Sequence, residues 1–141
     1  MRIVIFLIVF LGIGMYGFGN VDFSKPDIVV SNAIESLMKK DFSNLLNLTE
    51  LSEKKRVEKT IESYYGGDKP VLDSEIENLE SYKIVEVYYE NEFAIVSVDW
   101  RLRNNFQSKD GIKSYVATRK VLYLLKKFDD KWKIISKRVS I

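Results

Sequence analysis

The chain has 141 residues, of which 46% are hydrophobic and 30% are charged, and its formal net charge is +2. This composition is typical of a single small globular domain and excludes a disordered or fibrous chain. Because the sequence contains no cysteine and no histidine, it excludes disulfides, thiolate nucleophiles, Cys/His zinc sites and every catalytic triad that needs histidine.

Residues 1–19 have the pattern of a secretory signal peptide. Arg2 is followed by an apolar run from Ile3 to Ile13, and small residues follow at Gly17 and Gly19. The apolar run is shorter than the roughly 20 residues that a membrane-spanning helix needs. We therefore expect cleavage between Gly19 and Asn20 and a periplasmic or secreted protein, with membrane contact only during export. The alternative is an uncleaved N-terminal anchor, which also places the domain outside the cytoplasm.

The same segment contains a glycine motif, because residues 12–17 match G-x-G-x-x-G. This motif binds a dinucleotide when it follows a strand and opens a helix within a βαβ unit. Here the chain continues to Pro26 without a helical pattern, and no alternating βαβ series follows. The sequence therefore gives no support for nucleotide binding.

The N-terminal half of residues 20–141 is predicted to be helical. Ser24 and Pro26 indicate a helix start, and one apolar stripe follows, formed by Val30, Ala33, Ile34, Leu37 and Met38. Asp41 is predicted to cap a short second helix. A third helix is predicted from about Thr49 to Gly66, where two glycines end it, and residues 68–78 are predicted to form a loop.

From Ser81 onward the apolar residues alternate with a period of two, which predicts strands. A turn at Asn91-Glu92 pairs Val87 with Val96 and Val85 with Val98, and further turns are predicted at residues 109–111 and 129–130. The core face of the last two strands is predicted to carry Leu122, Leu124, Trp132 and Ile134. The fold class that follows is α+β, with N-terminal helices packed on a curved antiparallel sheet, a meander of about four strands.

The sheet face opposite the predicted core is also rich in apolar residues. This outer face is predicted to carry Tyr82, Ile84, Tyr88, Phe93 and Ile95. A one-sided sheet normally presents a polar face to water, and a large exposed apolar patch usually marks a contact surface. We therefore expect a homodimer, or another partner, on this face. The alternative is that additional chain, or the helices with a change of register at a bulge, covers it.

The order of elements and the terminal hairpin resemble the nuclear-transport-factor-2-like superfamily, whose cone is also described as cystatin-like. The resemblance rests on the strand Lys131-Trp132-Lys133-Ile134 after an acidic turn and on the helix end at residues 38–42. It implies a bent sheet wrapped round helices with a pocket between them, and often dimers formed sheet to sheet. The superfamily includes isomerases, cyclases and many binding domains without activity, so the fold alone does not choose a function.

Few residues are candidates for a site in such a cone. Tyr64, Tyr65 and Trp100 are predicted pocket residues, because they are aromatic and lie near the expected opening between helices and sheet. Asp41 and Asp99 are the carboxylates considered for acid/base chemistry, but Asp41 fits a helix cap and Asp99 fits a surface ion pair beside Arg101. We therefore assign no catalytic residue.

Charge is distributed unevenly along the chain. Residues 20–99 have nine basic and seventeen acidic side chains, a formal charge of −8, whereas residues 100–141 have twelve and three, a charge of +9. We expect the basic strands to be neutralised by Glu86, Glu90 and Glu92 in the folded sheet. The alternative is that the basic hairpin approaches an anionic lipid or wall polymer. Nucleic acid is not an expected partner, because the chain has the pattern of an export signal and no identifiable nucleic-acid-binding motif.

From the sequence we therefore expect an exported small domain that binds a small apolar ligand or a protein partner. We favour a domain without enzymatic activity. The alternatives are a cofactor-free isomerase or cyclase that uses a buried carboxylate and a tyrosine, and a structural assembly domain. No cofactor is expected, and no metal either, because Asp73, Glu75 and Glu77 lack the spacing and the glycine of a calcium loop.

Overall fold

The computed structural model describes residues 2–5, 21–66 and 78–140, and for residues 2–5 it describes only the backbone. Three helices follow the first strand and precede four long strands. Their bounds are β1 Arg2–Ile5, α1 Pro26–Met38, α2 Phe42–Asn47, α3 Leu51–Tyr65, β2 Leu79–Glu90, β3 Phe93–Ser108, β4 Gly111–Phe128 and β5 Lys131–Val139. The predicted cleavage position, the glycine motif and the loop over residues 68–77 lie outside the described residues.

The strands form one antiparallel sheet in the order β1-β2-β3-β4-β5. Residues with positive φ make the tight turns, namely Asn91 at 54° and the pair Asp129 and Asp130 at 47° and 62°. The predicted meander of four strands is confirmed. The sheet has a fifth strand as well, because Arg2–Ile5 pairs antiparallel with β2, with Arg2 opposite Glu90 and Ile5 opposite Val87.

The helices cover one face of the sheet and form the core with it. The predicted stripe of α1 is buried at Val30, Ala33, Ile34 and Leu37, and α1 contacts β2, β3 and β5. Asp41 caps α2 as predicted, since its Oδ1 accepts the Asn44 backbone N–H at 3.2 Å. Helix α1 begins at Pro26 with Lys25 at its N-cap position, one residue later than predicted, because the Ser24 hydroxyl donates to Asp22 instead.

The free edge of β5 is closed by chain that precedes α3. Ile134 N–H donates to the Leu48 carbonyl and Glu50 N–H donates to the Ile134 carbonyl, both at 2.9 Å. The Trp132 N–H similarly donates to the Phe23 carbonyl at 2.9 Å. These bonds satisfy the backbone groups that an edge strand otherwise leaves open for pairing with another chain.

A bulge in β2 changes which residues face the core. Val87 pairs with Val96 as predicted, but the register shifts between Ile84 and Glu86, so Ile84 rather than Val85 lies opposite Val98. One extra residue reverses the alternation on that side of the bulge. The prediction that Tyr82 and Ile84 lie on the outer face is therefore wrong, because both are core residues, 3% and 2% exposed.

Strand β4 also has its faces reversed relative to the prediction. Val121 and Tyr123 lie opposite Val98 and Val96, and directly opposed residues share a face, so both point into the core. Leu122 and Leu124 consequently lie on the outer face. Trp132 and Ile134 are buried as predicted. The turn at Asp129-Asp130 pairs Lys127 with Trp132 and Leu125 with Ile134, so Trp132 and Ile134 share a face with the buried Leu125 and not with Leu124.

Candidate binding surface

The outer face of the sheet carries a continuous apolar strip on its three central strands. Tyr88 comes from β2, Phe93 and Ile95 come from β3, and Leu122 and Leu124 come from β4. They are neighbours because Tyr88 pairs with Ile95 and Ile95 pairs with Leu124. Phe93 and Ile95 are 37% and 38% exposed, which is high for large apolar side chains in the middle of a sheet.

Two shallow grooves run along this strip. One, of about 450 Å³, lies between Tyr88, Phe93, Ile95 and Leu124, at the end of the strip near the β2–β3 turn. The other, of about 390 Å³, is lined by Glu86, Tyr88, Ile95, Ser97, Lys120 and Leu122. Because the grooves share Tyr88 and Ile95, they form one extended concave surface rather than two separate sites.

Charged groups flank the strip at both ends. Near the β2–β3 turn, Glu90 accepts a hydrogen bond from the Tyr88 hydroxyl at 3.3 Å, and Glu92 lies in the turn itself. The Lys126 ammonium lies over the Phe93 ring, 5.8 Å from its centroid, and is the exception at this acidic end. At the other end, Lys120 pairs in register with Asp99, and Arg101 follows on the same face.

Three of the five residues predicted for the interface lie on this surface, namely Tyr88, Phe93 and Ile95. The other two, Tyr82 and Ile84, lie in the core for the reason given above. Leu122 and Leu124 were missed because β4 is apolar on both faces, from Val121 to Leu125, and periodicity alone gives no indication of which set faces the core.

The predicted pocket residues have different surroundings. Tyr64 is half-buried, with its ring in edge contact with the rings of Phe42 at 5.3 Å and Tyr65 at 5.5 Å, while Tyr65 is 75% exposed. Trp100 is 1% exposed, with the Lys137 ammonium 4.9 Å from its ring centroid. Neither groove described above includes any of the three.

The interior holds a polar pair that the sequence did not indicate. The buried Tyr82 hydroxyl donates to Glu35 Oε1 on α1 at 3.1 Å. Burial raises the pKa of Tyr82 above its ordinary value, and the neighbouring Glu35 carboxylate raises it further. Tyr82 reaches Glu35 only because the bulge turns it inward, so alternation in the sequence placed it on the wrong face.

The two carboxylates considered for catalysis have structural surroundings. Asp41 caps α2, and Asp99 lies on the sheet between Lys83 and Lys120 in the paired strands. Arg101, the partner expected for Asp99, instead lies 3.4 Å from Glu80. Within residues 21–66 and 78–140, no three acidic side chains are close enough to hold a metal ion. Asp73, Glu75 and Glu77 lie outside the described residues.

None of the described helices is long and apolar enough to cross a membrane.

Comparison with known proteins identifies the fold of this chain. The chain is similar in structure to an NTF-2-like protein of unknown function from Shewanella oneidensis MR-1, with a TM-score of 0.51 and 18% sequence identity. The match covers 80% of this chain and 93% of the other. No protein-family model matches the sequence, and no curated protein does either. At this identity the likeness establishes the fold alone.

Proposed function

We propose that this chain, which has the nuclear-transport-factor-2-like fold, is an exported, non-enzymatic binding domain whose outer sheet face pairs with a second copy of itself. The observation that carries the proposal is the apolar strip formed by Tyr88, Phe93, Ile95, Leu122 and Leu124, with its two confluent grooves. A sheet that packs helices on one face normally keeps the other face polar, so a strip of this kind favours a partner.

The charges at the two ends of β2 favour a second copy as that partner. A two-fold interface joins the same patch on both copies, so the patch must complement itself. Glu90 and Glu92 lie at one end together with Lys126, and Lys83, Arg101 and Lys120 lie at the other end together with Glu80 and Asp99. A two-fold axis that crosses the strands near Ile95 and Ser97 reverses the strand direction. It brings Glu90 on β2 towards Lys83 of the second copy, and it brings Lys126 on β4 towards Lys120, so the charges are complementary on β2 and alike on β4. An axis parallel to the strands superposes like charges, which is unfavourable.

The role of binding a small ligand inside the cone is less well supported. Tyr65 is largely exposed, Trp100 is enclosed, and Tyr64 is in contact with Phe42 and Tyr65. The two described grooves both open on the outer face. We therefore assign binding to the outer face and not to these three aromatic residues.

A cofactor-free acid/base enzyme is the second candidate, and one observation favours it. Glu35 and Tyr82 bring a half-buried carboxylate and a buried phenol together at 3.1 Å, which is the combination that polarises and deprotonates a carbonyl substrate. Each group, however, already has the other as its hydrogen-bond partner. If the protein is such an enzyme, we expect Glu35 and Tyr82 to be its catalytic residues. Asp41 is not one of them, because it caps α2.

Self-association tests the proposal. We expect the purified protein to sediment at twice its chain mass, and we expect Ile95→Glu to sediment as a monomer, because it places two carboxylates in the centre of an apolar contact. Ile112→Glu is the matched control. It makes the same exchange at a side chain that is 74% exposed and distant from the strip, and it should leave the dimer intact. A wild-type monomer at tens of micromolar, or a dimeric Ile95→Glu variant, contradicts the proposal.

A further inference from the structure

The hairpin of β3 and β4 extends well beyond the core. Leu102 is the last buried residue of β3 and Val121 is the first buried residue of β4. We call residues 103–120, which lie between them, the arm. Within the described residues, pairing of β2 with β3 ends at Leu102 and pairing of β4 with β5 ends at Val121. Considering residues 21–66 and 78–140 alone, the arm is therefore a two-stranded ribbon with both faces directed towards solvent.

Both faces of the arm carry exposed apolar side chains. Phe106 and Tyr115 lie on one face, with ring centroids 6.0 Å apart, and they are 47% and 53% exposed. Ile112 and Val116 lie on the other face and are 74% and 37% exposed. A flat protein partner covers only one face of a ribbon, whereas a lipid headgroup layer surrounds both.

The arm is also basic. It contains five basic residues and one acidic residue, Asp110. Arg103 lies 2.8 Å from Glu80 and Lys113 lies 3.9 Å from Asp110. No described carboxylate lies within 4.0 Å of the Lys109, Arg119 or Lys120 side-chain nitrogens. The neutralisation expected from Glu86, Glu90 and Glu92 is therefore not provided by ion pairs to the arm among these residues.

We infer that the arm docks on an anionic lipid surface, with Ile112, Phe106 and Tyr115 entering the headgroup layer while Lys109 and Lys113 bind lipid phosphates. Basic residues next to exposed aromatic and aliphatic side chains are the combination that such surfaces attract. A nucleic acid gains little from Ile112 and Val116, which can neither stack on bases nor form hydrogen bonds. Apart from the Lys120 carbonyl, which accepts the Ser140 N–H, the outer backbone edges of the ribbon have no partner strand among the described residues. These edges need water, so the arm lies at headgroup depth and does not cross the bilayer.

Sedimentation with vesicles tests the inference. The full chain should bind vesicles of phosphatidylcholine with about 30% phosphatidylglycerol at low salt, and it should bind pure phosphatidylcholine vesicles at least tenfold more weakly. Lys109→Glu with Lys113→Glu should reduce binding to the anionic vesicles more than about tenfold, since each basic residue near the surface contributes about fivefold. Ile112→Ser should reduce it about threefold by removing apolar burial.

The matched control is Lys55→Glu with Lys59→Glu on the exposed side of α3, which changes the net charge equally. It should retain most of the binding. Equal loss in the control, or no binding of the wild type to anionic vesicles, overturns the inference, as does a preference for single-stranded nucleic acid over the vesicles in direct competition. The inference does not depend on the dimer, because arm variants should leave the sedimenting mass unchanged and Ile95→Glu should leave the arm intact.

Discussion

Tyr82 shows how one side chain connects the helices to the sheet. Its hydroxyl donates to Glu35 Oε1 on α1, and the residue, which belongs to β2, is only 3% exposed. Burial raises the pKa of this phenol above its ordinary value of 10.0. In the unfolded chain, Tyr82 returns to its ordinary pKa and releases its proton at lower pH than in the folded protein.

The linkage gives a stability prediction for Tyr82. Because the folded pKa is raised, its contribution is fully present below pH 10 and is lost as pH rises above that value. We expect Tyr82→Phe to cost about 1 kcal/mol at pH 7, the value of one hydrogen bond. Above pH 10 the difference in unfolding free energy between the wild type and Tyr82→Phe should decrease, by at most about 1.4 kcal/mol per pH unit.

Urea unfolding at pH 7 and at about pH 10.5 measures both effects for Tyr82. Tyr115→Phe on the exposed arm is the matched control, and it should change the unfolding free energy little at either pH. If the difference in unfolding free energy between the wild type and Tyr82→Phe does not change with pH, Tyr82 has its ordinary pKa in the folded protein and the prediction is wrong.

Some residue roles were predictable because their cause is local. Asp41 was predicted as a helix cap, and the structure confirms it, because a cap depends only on the next three residues. The role of Tyr82 depends on the bulge between Ile84 and Glu86 and on contact with α1, which is distant in the sequence. The Glu35–Tyr82 pair was therefore not predictable from the sequence.

At the scale of elements, turns were more predictable than faces. The Asn91-Glu92 turn and the pairing of Val87 with Val96 followed from short-range sequence signals and are confirmed. The faces of β2 beyond the bulge and of β4 did not follow, because one inserted residue reverses the alternation. Because β4 is apolar on both faces, assigning either face to the core buries a set of apolar side chains, and the sequence pattern does not reveal a wrong assignment.

The strand β1 gives the export prediction a structural consequence. Arg2–Ile5 pairs with residues 87–90 on the edge of β2, yet the sequence pattern predicts that these residues are removed. We expect the intact mass of the protein recovered from its host to correspond to a chain that starts at Asn20. The edge of β2 at residues 87–90 then loses this partner strand, and its amides should exchange hydrogen faster than those of Val96 and Val98. A mass that includes Arg2 would instead support a retained N-terminal segment.

For the whole molecule, the fold was predictable and the partner was not. Helices followed by alternating strands indicated the α+β cone, and the structural match confirms this fold. The distribution of charge along the sequence indicated two halves of opposite sign, but only the folded sheet shows that Glu90 and Lys83 lie at opposite ends of one apolar strip. This arrangement underlies the proposed two-fold axis across the strands.

Crosslinking of an introduced cysteine is the most direct test of that axis. Because the chain has no cysteine, Ser97→Cys provides a single thiol close to the proposed axis. Facing sheets pack about 10 Å apart, so a short bismaleimide should join two copies of this variant efficiently. In Ser114→Cys the thiols lie on the arms at opposite ends of the dimer, on the order of 50 Å apart, and should not be joined. Efficient crosslinking at Ser97 alone is the predicted result. Crosslinking at Ser114 alone, or at neither position, would contradict the proposed pairing.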